Sequence, residues 1–262
     1  MAFTEDQRSL IADAILDAAE RKHTIEPLSD TYPDIATQDA YRIQLLTVQR
    51  RVASGRKIVG KKIGLTSPAM QQLFNVMEPD YGHLFDDMVC YQGEPVQSGR
   101  FLQPRIEGEI AFVLGRDLMG PGITPSEVLR ATAGLVAALE IVDSRIRDWK
   151  IKIQDTVADN ASSGAFVIGS KMVSAAGMDT RHVGYVFSKN GRVVGTAAGA
   201  AVLGSPVQAV AWLANKMGEY GIGLKAGEII LSGAACAAVP VQTGDSIHLV
   251  VDRIGEVSCF FD

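Results

Sequence analysis

The sequence predicts a mixed α+β fold, with a small helical N-terminal lobe over 1–55 and a larger domain over 56–262 built on a curled sheet. Three observations lead there. Apolar residues at helical spacing fill the first 55 positions. Short β-type runs alternate with glycine turns after that. Two later helices interrupt those runs out of βαβ rhythm, which argues against a regular doubly wound sheet.

The elements follow in order. Thr4-Glu5-Asp6-Gln7 has the form of a capping box, and Leu10, Ile11, Ala14, Ile15 and Ala18 continue it as a helical stripe. A Pro- and Asp-rich link over 27–34 separates this helix from a second one starting near Thr37. Its stripe is Tyr41, Leu45, Val48 and Val52, and Gly55 stops it. Strands are expected over 57–65, 109–114, 135–142, 165–168, 183–188, 192–196, 229–232, 246–252 and 257–261. Asn190-Gly191 joins two of them as a type I′ hairpin turn. Thr124-Pro125-Ser126-Glu127 opens one interrupting helix and Ser205-Pro206 the other, which runs through Val210, Ala211, Ala214 and Met217.

Charge narrows the function classes. Lys plus Arg is 25 against 30 Asp plus Glu, and the resulting −5 lacks the basic footprint that nucleic acid or an anionic membrane surface requires. No apolar run is long enough to span a bilayer, and the acidic N-terminal segment is unlike a secretory signal. Cys90, Cys236 and Cys259 show no CxxC spacing, which fits small core residues in a reducing cytoplasm. No nucleophile elbow, phosphate loop or dinucleotide fingerprint is present, and His23, His83, His182 and His248 show no ligand spacing.

The residues that can carry chemistry are acidic. Glu107 and Glu109 sit at i and i+2 of a strand, so their side chains share a face. Like charges that close need a proton, a basic side chain or a cation between them. The alternative is a solvated strand start paired with Arg105 or Lys152, and spacing alone weighs the two equally. Glu140 lies in the apolar run 137–142, where a carboxylate is costly unless it is paired or coordinating. Three carboxylates without His or Cys suit a hard cation, Mg²⁺ or Mn²⁺. Lys61 and Lys62 fall in a strand, one on each face. Either one alone reads first as an exposed edge-strand lysine, and one beside a metal would be a cationic donor. The segment 78–82, with Glu78 and Asp80, reads as a solvated turn. The segment 159–164 reads as a polar strand-entry loop able to present donors to a carboxylate.

Five segments then occur in one order: Lys62-Ile63-Gly64-Leu65-Thr66-Ser67, Glu78-Pro79-Asp80-Tyr81-Gly82, Pro104-Arg105-Ile106-Glu107-Gly108-Glu109, Glu140-Ile141-Val142-Asp143-Ser144-Arg145 and Asp159-Asn160-Ala161-Ser162. Together they resemble the 2-hydroxypenta-2,4-dienoate (2-keto-4-pentenoate) hydratases. These are grouped with 4-oxalocrotonate decarboxylases in the fumarylacetoacetate-hydrolase-like superfamily. The resemblance implies a mixed β-roll core, Mg²⁺ or Mn²⁺ on Glu107, Glu109 and Glu140, an active-site Lys62 with Asp80 as its acidic partner, and Asn160 and Ser162 on the substrate side. It implies a cytoplasmic lyase of meta-cleavage aromatic catabolism, homo-oligomeric, able to associate with a pathway decarboxylase or aldolase. Its substrate is a small 2-oxo or 2-hydroxy dienoic acid. The stretch 145–160 favours the hydratase branch. The segment 233–240 is closer to the decarboxylase branch, so decarboxylation of 4-oxalocrotonate is the alternative.

Overall fold

The computed structural model of the chain describes residues 3–67, 71, 72 and 75–262. Positions 1 and 2 of the expected helical lobe, and 68–70, 73 and 74 of the expected larger domain, lie outside them.

Helix α1 (Glu5–Arg21) opens on the expected box: the Gln7 N–H donates to Thr4 Oγ1 at 3.2 Å and the Thr4 N–H to Gln7 Oε1 at 2.9 Å. A four-residue turn of helix follows as α2 (Leu28–Thr31), then α3 (Thr37–Ala53). Arg8 joins α1 to α3 through Asp39, with Nε and Nη2 at 3.0 and 2.6 Å from Oδ1. Three expected stripe residues, Leu10, Ala14 and Val52, are exposed; the buried face of α1 runs through Arg8, Ile11, Ala12, Ile15 and Ala18.

The strands are β1 (Ile58–Gly64), β2 (Asp80–Phe85), β3 (Val89–Cys90), β4 (Pro95–Val96), β5 (Arg105–Leu114), β6 (Thr132–Val142) and β7 (Ser163–Ile168). They continue as β8 (Gly184–Lys189), β9 (Arg192–Ala198), β10 (Ile229–Leu231), β11 (Val239–Pro240), β12 (Ser246–Val251) and β13 (Gly255–Phe261). Helices α4 (Pro125–Ala131), α5 (Ile153–Ala158) and α6 (Pro206–Gly218) lie between them. Pro125 and Pro206 take the first helical turn, where a missing N–H costs nothing. Asn190 and Gly191 both have positive φ (53° and 72°), as a type I′ turn requires.

One mixed sheet has the order β2-β1-β10-β5-β6-β7-β3, with β11 also paired to β5; the second has the order β4-β13-β12-β8-β9. Alternation along β5 divides its side chains. Ile106, Ile110 and Phe112 face the core shared with the second sheet, while Glu107, Glu109 and Ala111 face away from it. Gly108 makes that approach possible, since a Cβ there would lie 2.8 Å from Leu249 of β12. On the other face Leu84 of β2 and Phe166 of β7 join Leu231, Ala111 and Ala138 in one apolar cluster. Strands that far apart in the order meet only if the sheet curls, so the carboxylate face is its concave side.

Two expectations need correction. Residues 78–82 are not a solvated turn: Glu78 reaches Lys216 at the surface (3.2 Å), but Asp80 begins a fully buried strand. Lys61 is not exposed. Strand β1 lies between β2 and β10 rather than at an edge, and Lys61 Nζ meets Glu228 Oε1 at 2.7 Å in the interior. Residues 159–164 form the expected strand entry. They follow α5 through a single 3₁₀ turn, Asn160–Ser162, into β7.

Candidate metal and active site

Strand register assembles the acidic cluster. Glu107 and Glu140 are partners across the antiparallel β5–β6 ladder, and Glu109 follows Glu107 by two residues on the same face. One oxygen from each of the three carboxylates lies within 4.8 Å of the others. Glu109 and Glu140 are fully buried and Glu107 half-buried. Among the described residues neither basic candidate forms an ion pair with Glu107: Lys152 pairs with Asp30 at 3.4 Å, and Arg105 lies over the Trp149 ring at 4.6 Å, acting on Glu107 only through its charge.

The cluster is short of donors. Glu109 Oε2 accepts the Gly233 N–H at 2.7 Å, whereas Glu109 Oε1 and Glu140 Oε2 accept no hydrogen bond among the described residues. Lys62 Nζ stands 3.3 Å from Glu140 Oε1. Burial pushes the Glu107 carboxyl up to about 7, with Glu140 repelling its charge and Lys62 only partly offsetting this. Burial also pushes the Glu109 carboxyl well up, with Glu140 and Glu107 repelling, and Glu140 is raised by burial against the pull of Lys62. An all-oxygen donor set with surplus negative charge fits a hard divalent cation, which Glu107, Glu109 and Glu140 could hold.

Lys62 and Asp80 share the concave face. Lys62 pairs with Gly82 and Gly64 with Asp80, so alternation sends both side chains the same way. Gly64 leaves the space they occupy: a Cβ there would lie 2.2 Å from Asp80 Oδ1 and 3.3 Å from Lys62 Nζ. Burial lowers the Lys62 pKa, but Glu140, Asp80, Glu107 and Glu109 outweigh it and the net shift is upward. Burial raises the Asp80 carboxyl, moderated by Lys62 and by Thr156. His83 points to the opposite face of β2; burial and the Lys61 charge pull it down to about 3, so no histidine of this strand serves the cluster.

The 3₁₀ turn approaches from β7. Asn160, Ala161 and Ser162 all have left-handed φ (55°, 50° and 54°), at a cost of about 1 kcal/mol or more per residue. Asn160 pins the turn to β2: its Oδ1 accepts the His83 N–H at 2.8 Å and its Nδ2 donates to the His83 carbonyl at 2.9 Å. Its amide thus holds the backbone of a neighbouring strand. Ser162 Oγ lies 3.4 Å from Thr156 Oγ1, which donates to Asp80 Oδ2 at 3.3 Å. Thr156, Gly64 and the Arg145–Asp159 pair behind the turn were not singled out from sequence for a role. Arg145 and Asp159 stand within the quoted segments, and the charges Asp143 and Arg145 inside the run 141–146 are the available signal. A cleft of about 610 Å³ opens elsewhere, between α1, α3 and the back of this turn, and none of the three glutamates, Lys62 or Asp80 lines it.

Comparison with known proteins agrees with this architecture. The family model "Fumarylacetoacetate (FAA) hydrolase C-terminal" matches residues 67–260. The chain is 47% identical over 261 residues to the 2-hydroxyhexa-2,4-dienoate hydratase of Comamonas testosteroni, covering 99% of this chain and 97% of that protein. It is 48% identical over 260 residues to the 2-keto-4-pentenoate hydratase of Paraburkholderia xenovorans, with the same coverage. The solved 4-oxalocrotonate decarboxylase from Pseudomonas putida G7, complexed with magnesium and adipate, superposes with a TM-score of 0.96 at 39% identity, covering 100% of this chain and 99% of that one. Curled sheet, acidic cluster and full-length identity converge: this chain belongs to the fumarylacetoacetate hydrolase family.

Proposed function

We propose that the chain is a divalent-metal-dependent hydratase, a hydro-lyase of meta-cleavage aromatic catabolism. It adds water to 2-hydroxypenta-2,4-dienoate, or a close homologue, to give 4-hydroxy-2-oxopentanoate. The observation that carries this reading is the buried acidic cluster, with oxygens lacking donors, in a chain 47–48% identical over its length to hydratases of such dienoates. The magnesium in the solved decarboxylase supports Mg²⁺, with Mn²⁺ meeting the same ligand argument.

Glu107, Glu109 and Glu140 would hold the cation. When bound, it supplies Lewis-acid stabilisation for negative charge gathering on the substrate's 2-oxygen, a contribution of several kcal/mol. Lys62 keeps its proton and donates to the substrate carboxylate. Asp80, raised above the ordinary carboxylate range, suits proton transfer. A proton is delivered to C5 as the 2-hydroxyl loses its own, giving an enone; water then adds its hydroxyl to C4 and a proton reaches C3. Ser162 offers a hydroxyl to the substrate, and Asn160 contributes by setting the turn that carries it.

The 4-oxalocrotonate decarboxylase reading is second, favoured by segment 233–240, whose Gly233 N–H touches Glu109. The proposal further includes a cytoplasmic setting, supported by three free cysteines, and homo-oligomeric assembly with a pathway decarboxylase or aldolase as a possible associate. Incubation of the protein with the dienol and Mg²⁺ tests the main reading. Loss of dienol absorbance with formation of the 4-hydroxy-2-oxo acid supports it. Persistent dienol overturns it, and CO₂ release from the diacid in its place moves the assignment to the decarboxylase.

A further inference from the structure

The turn Asn160–Ser162 holds three consecutive left-handed residues, none of them glycine, so something must hold it. Its front is fixed by Asn160 on β2 and by the Ser162–Thr156–Asp80 contacts. Its back is fixed by the Asp143 N–H, which donates to the Ser162 carbonyl at 2.8 Å, and by one buried side chain. Arg145 Nε donates to Asp159 Oδ1 at 2.5 Å and Nη2 to the Asp159 carbonyl at 2.7 Å, while Nη1 donates to the Ser163 carbonyl at 3.1 Å and to the Asp143 carbonyl. Asp159 precedes the left-handed residues and Ser163 follows them, so a single guanidinium grips both ends. The Asp159 carboxylate is itself oriented by the Arg145 N–H at 2.9 Å and by Ser144 Oγ at 3.3 Å. None of the bonds made by Arg145 or by the Asp159 carboxylate goes to Glu107, Glu109, Glu140, Lys62 or Asp80.

We propose that Arg145 is a positioning residue for the reaction: it clamps the left-handed turn so that Ser162 and Thr156 present their hydroxyls to Asp80 and the substrate. This role rests on the hydratase reading above. Only a planar fork with several donors reaches Asp143, Asp159 and Ser163 together; a lysine ammonium in the same place satisfies fewer of them. The cation ligands stand on β5 and β6, and the side-chain bonds of Arg145 end on Asp143, Asp159 and Ser163, outside both strands. Loss of Arg145 therefore separates turnover from cation binding.

The test compares Arg145→Lys and Arg145→Gln with wild type in three measurements: hydrogen exchange of amides 160–163, Mn²⁺ affinity of the demetallated protein, and steady-state hydration of the dienol. Arg145→Lys keeps a charge opposite Asp159, so the test survives if Arg145→Gln does not fold. We expect faster exchange in the turn, unchanged Mn²⁺ affinity, and kcat lower by about 10- to 100-fold, with the lysine variant between glutamine and wild type. Wild-type exchange and kcat in both variants would overturn the proposal. So would Mn²⁺ affinity falling in step with kcat, which would mark Arg145 as general scaffold. If wild type itself does not hydrate the dienol, the functional reading fails, while the exchange and Mn²⁺ measurements still decide the clamp.

Discussion

Glu107 and Glu140 face each other as register partners on neighbouring strands, with Glu109 two residues further along the same face. The two carboxylates are thus brought to one place by the ladder itself. Replacing Glu140 by Gln removes one charge from this cluster while keeping its shape. Divalent cation affinity is expected to fall by more than the roughly 10- to 100-fold that loss of a supporting partner costs, and most turnover with it. The melting temperature of the cation-free protein should hold or rise. Mn²⁺ titration and calorimetry on the same preparation check both outcomes; full turnover at saturating Mg²⁺ would make Glu140 merely structural.

Adjacent lysines predict opposite phenotypes. Lys62→Ala removes the lysine that, among the described residues, contacts Glu140 and should lower activity far more than Lys61→Ala. Lys61→Ala strands the buried Glu228 carboxylate and should cost about 3 kcal/mol of stability, with activity retained in the folded protein. Denaturant melts and steady-state rates on the two variants decide the matter, and the reverse pattern would shift the assignment by one residue.

Cation binding should be proton-linked. The Glu107 carboxyl has an ordinary value of 4.5 and sits at about 7 in the fold. For an acid raised by folding, the stability linked to its proton is full below 4.5 and is lost as pH climbs through about 7. The cation-free protein therefore loses stability across that window. Mg²⁺ competes with the bound proton, so its stabilisation should be larger at pH 8 than at pH 5.5. Thermal melts with and without Mg²⁺ at the two pH values check this; equal shifts would contradict it.

Two glycines separate site from scaffold. Gly64→Ala places a methyl group against Asp80 and Lys62 and should reduce kcat by about 10- to 100-fold. Gly108→Ala pushes against Leu249 on the far face and should chiefly cost stability, about 1–3 kcal/mol. Rates and melts on both variants test the division.

The acidic centre was legible because its chemistry is local. Two glutamates at i and i+2 share a face, and Glu140 stood out as a charge in an apolar run. Their meeting depends on the β5–β6 register, which motif order implied but spacing could not supply. Asp80 was misread because Asp, Tyr and Gly in a row look like a turn, whereas Lys62 and Thr156 stabilise that carboxylate inside a strand. Lys61 was misread for a similar reason, since its partner Glu228 is 167 positions away. The left-handed turn was invisible, because Asn160, Ala161 and Ser162 carry no glycine to announce it and their conformation is imposed by Arg145 and β2.

The most direct test is to titrate Mn²⁺ into EDTA-treated protein while following dienol hydration in the same samples. One tight site per chain, lost in Glu140→Gln, with turnover rising in proportion to its occupancy, is the expected result. Undiminished hydration by fully demetallated protein would contradict the account.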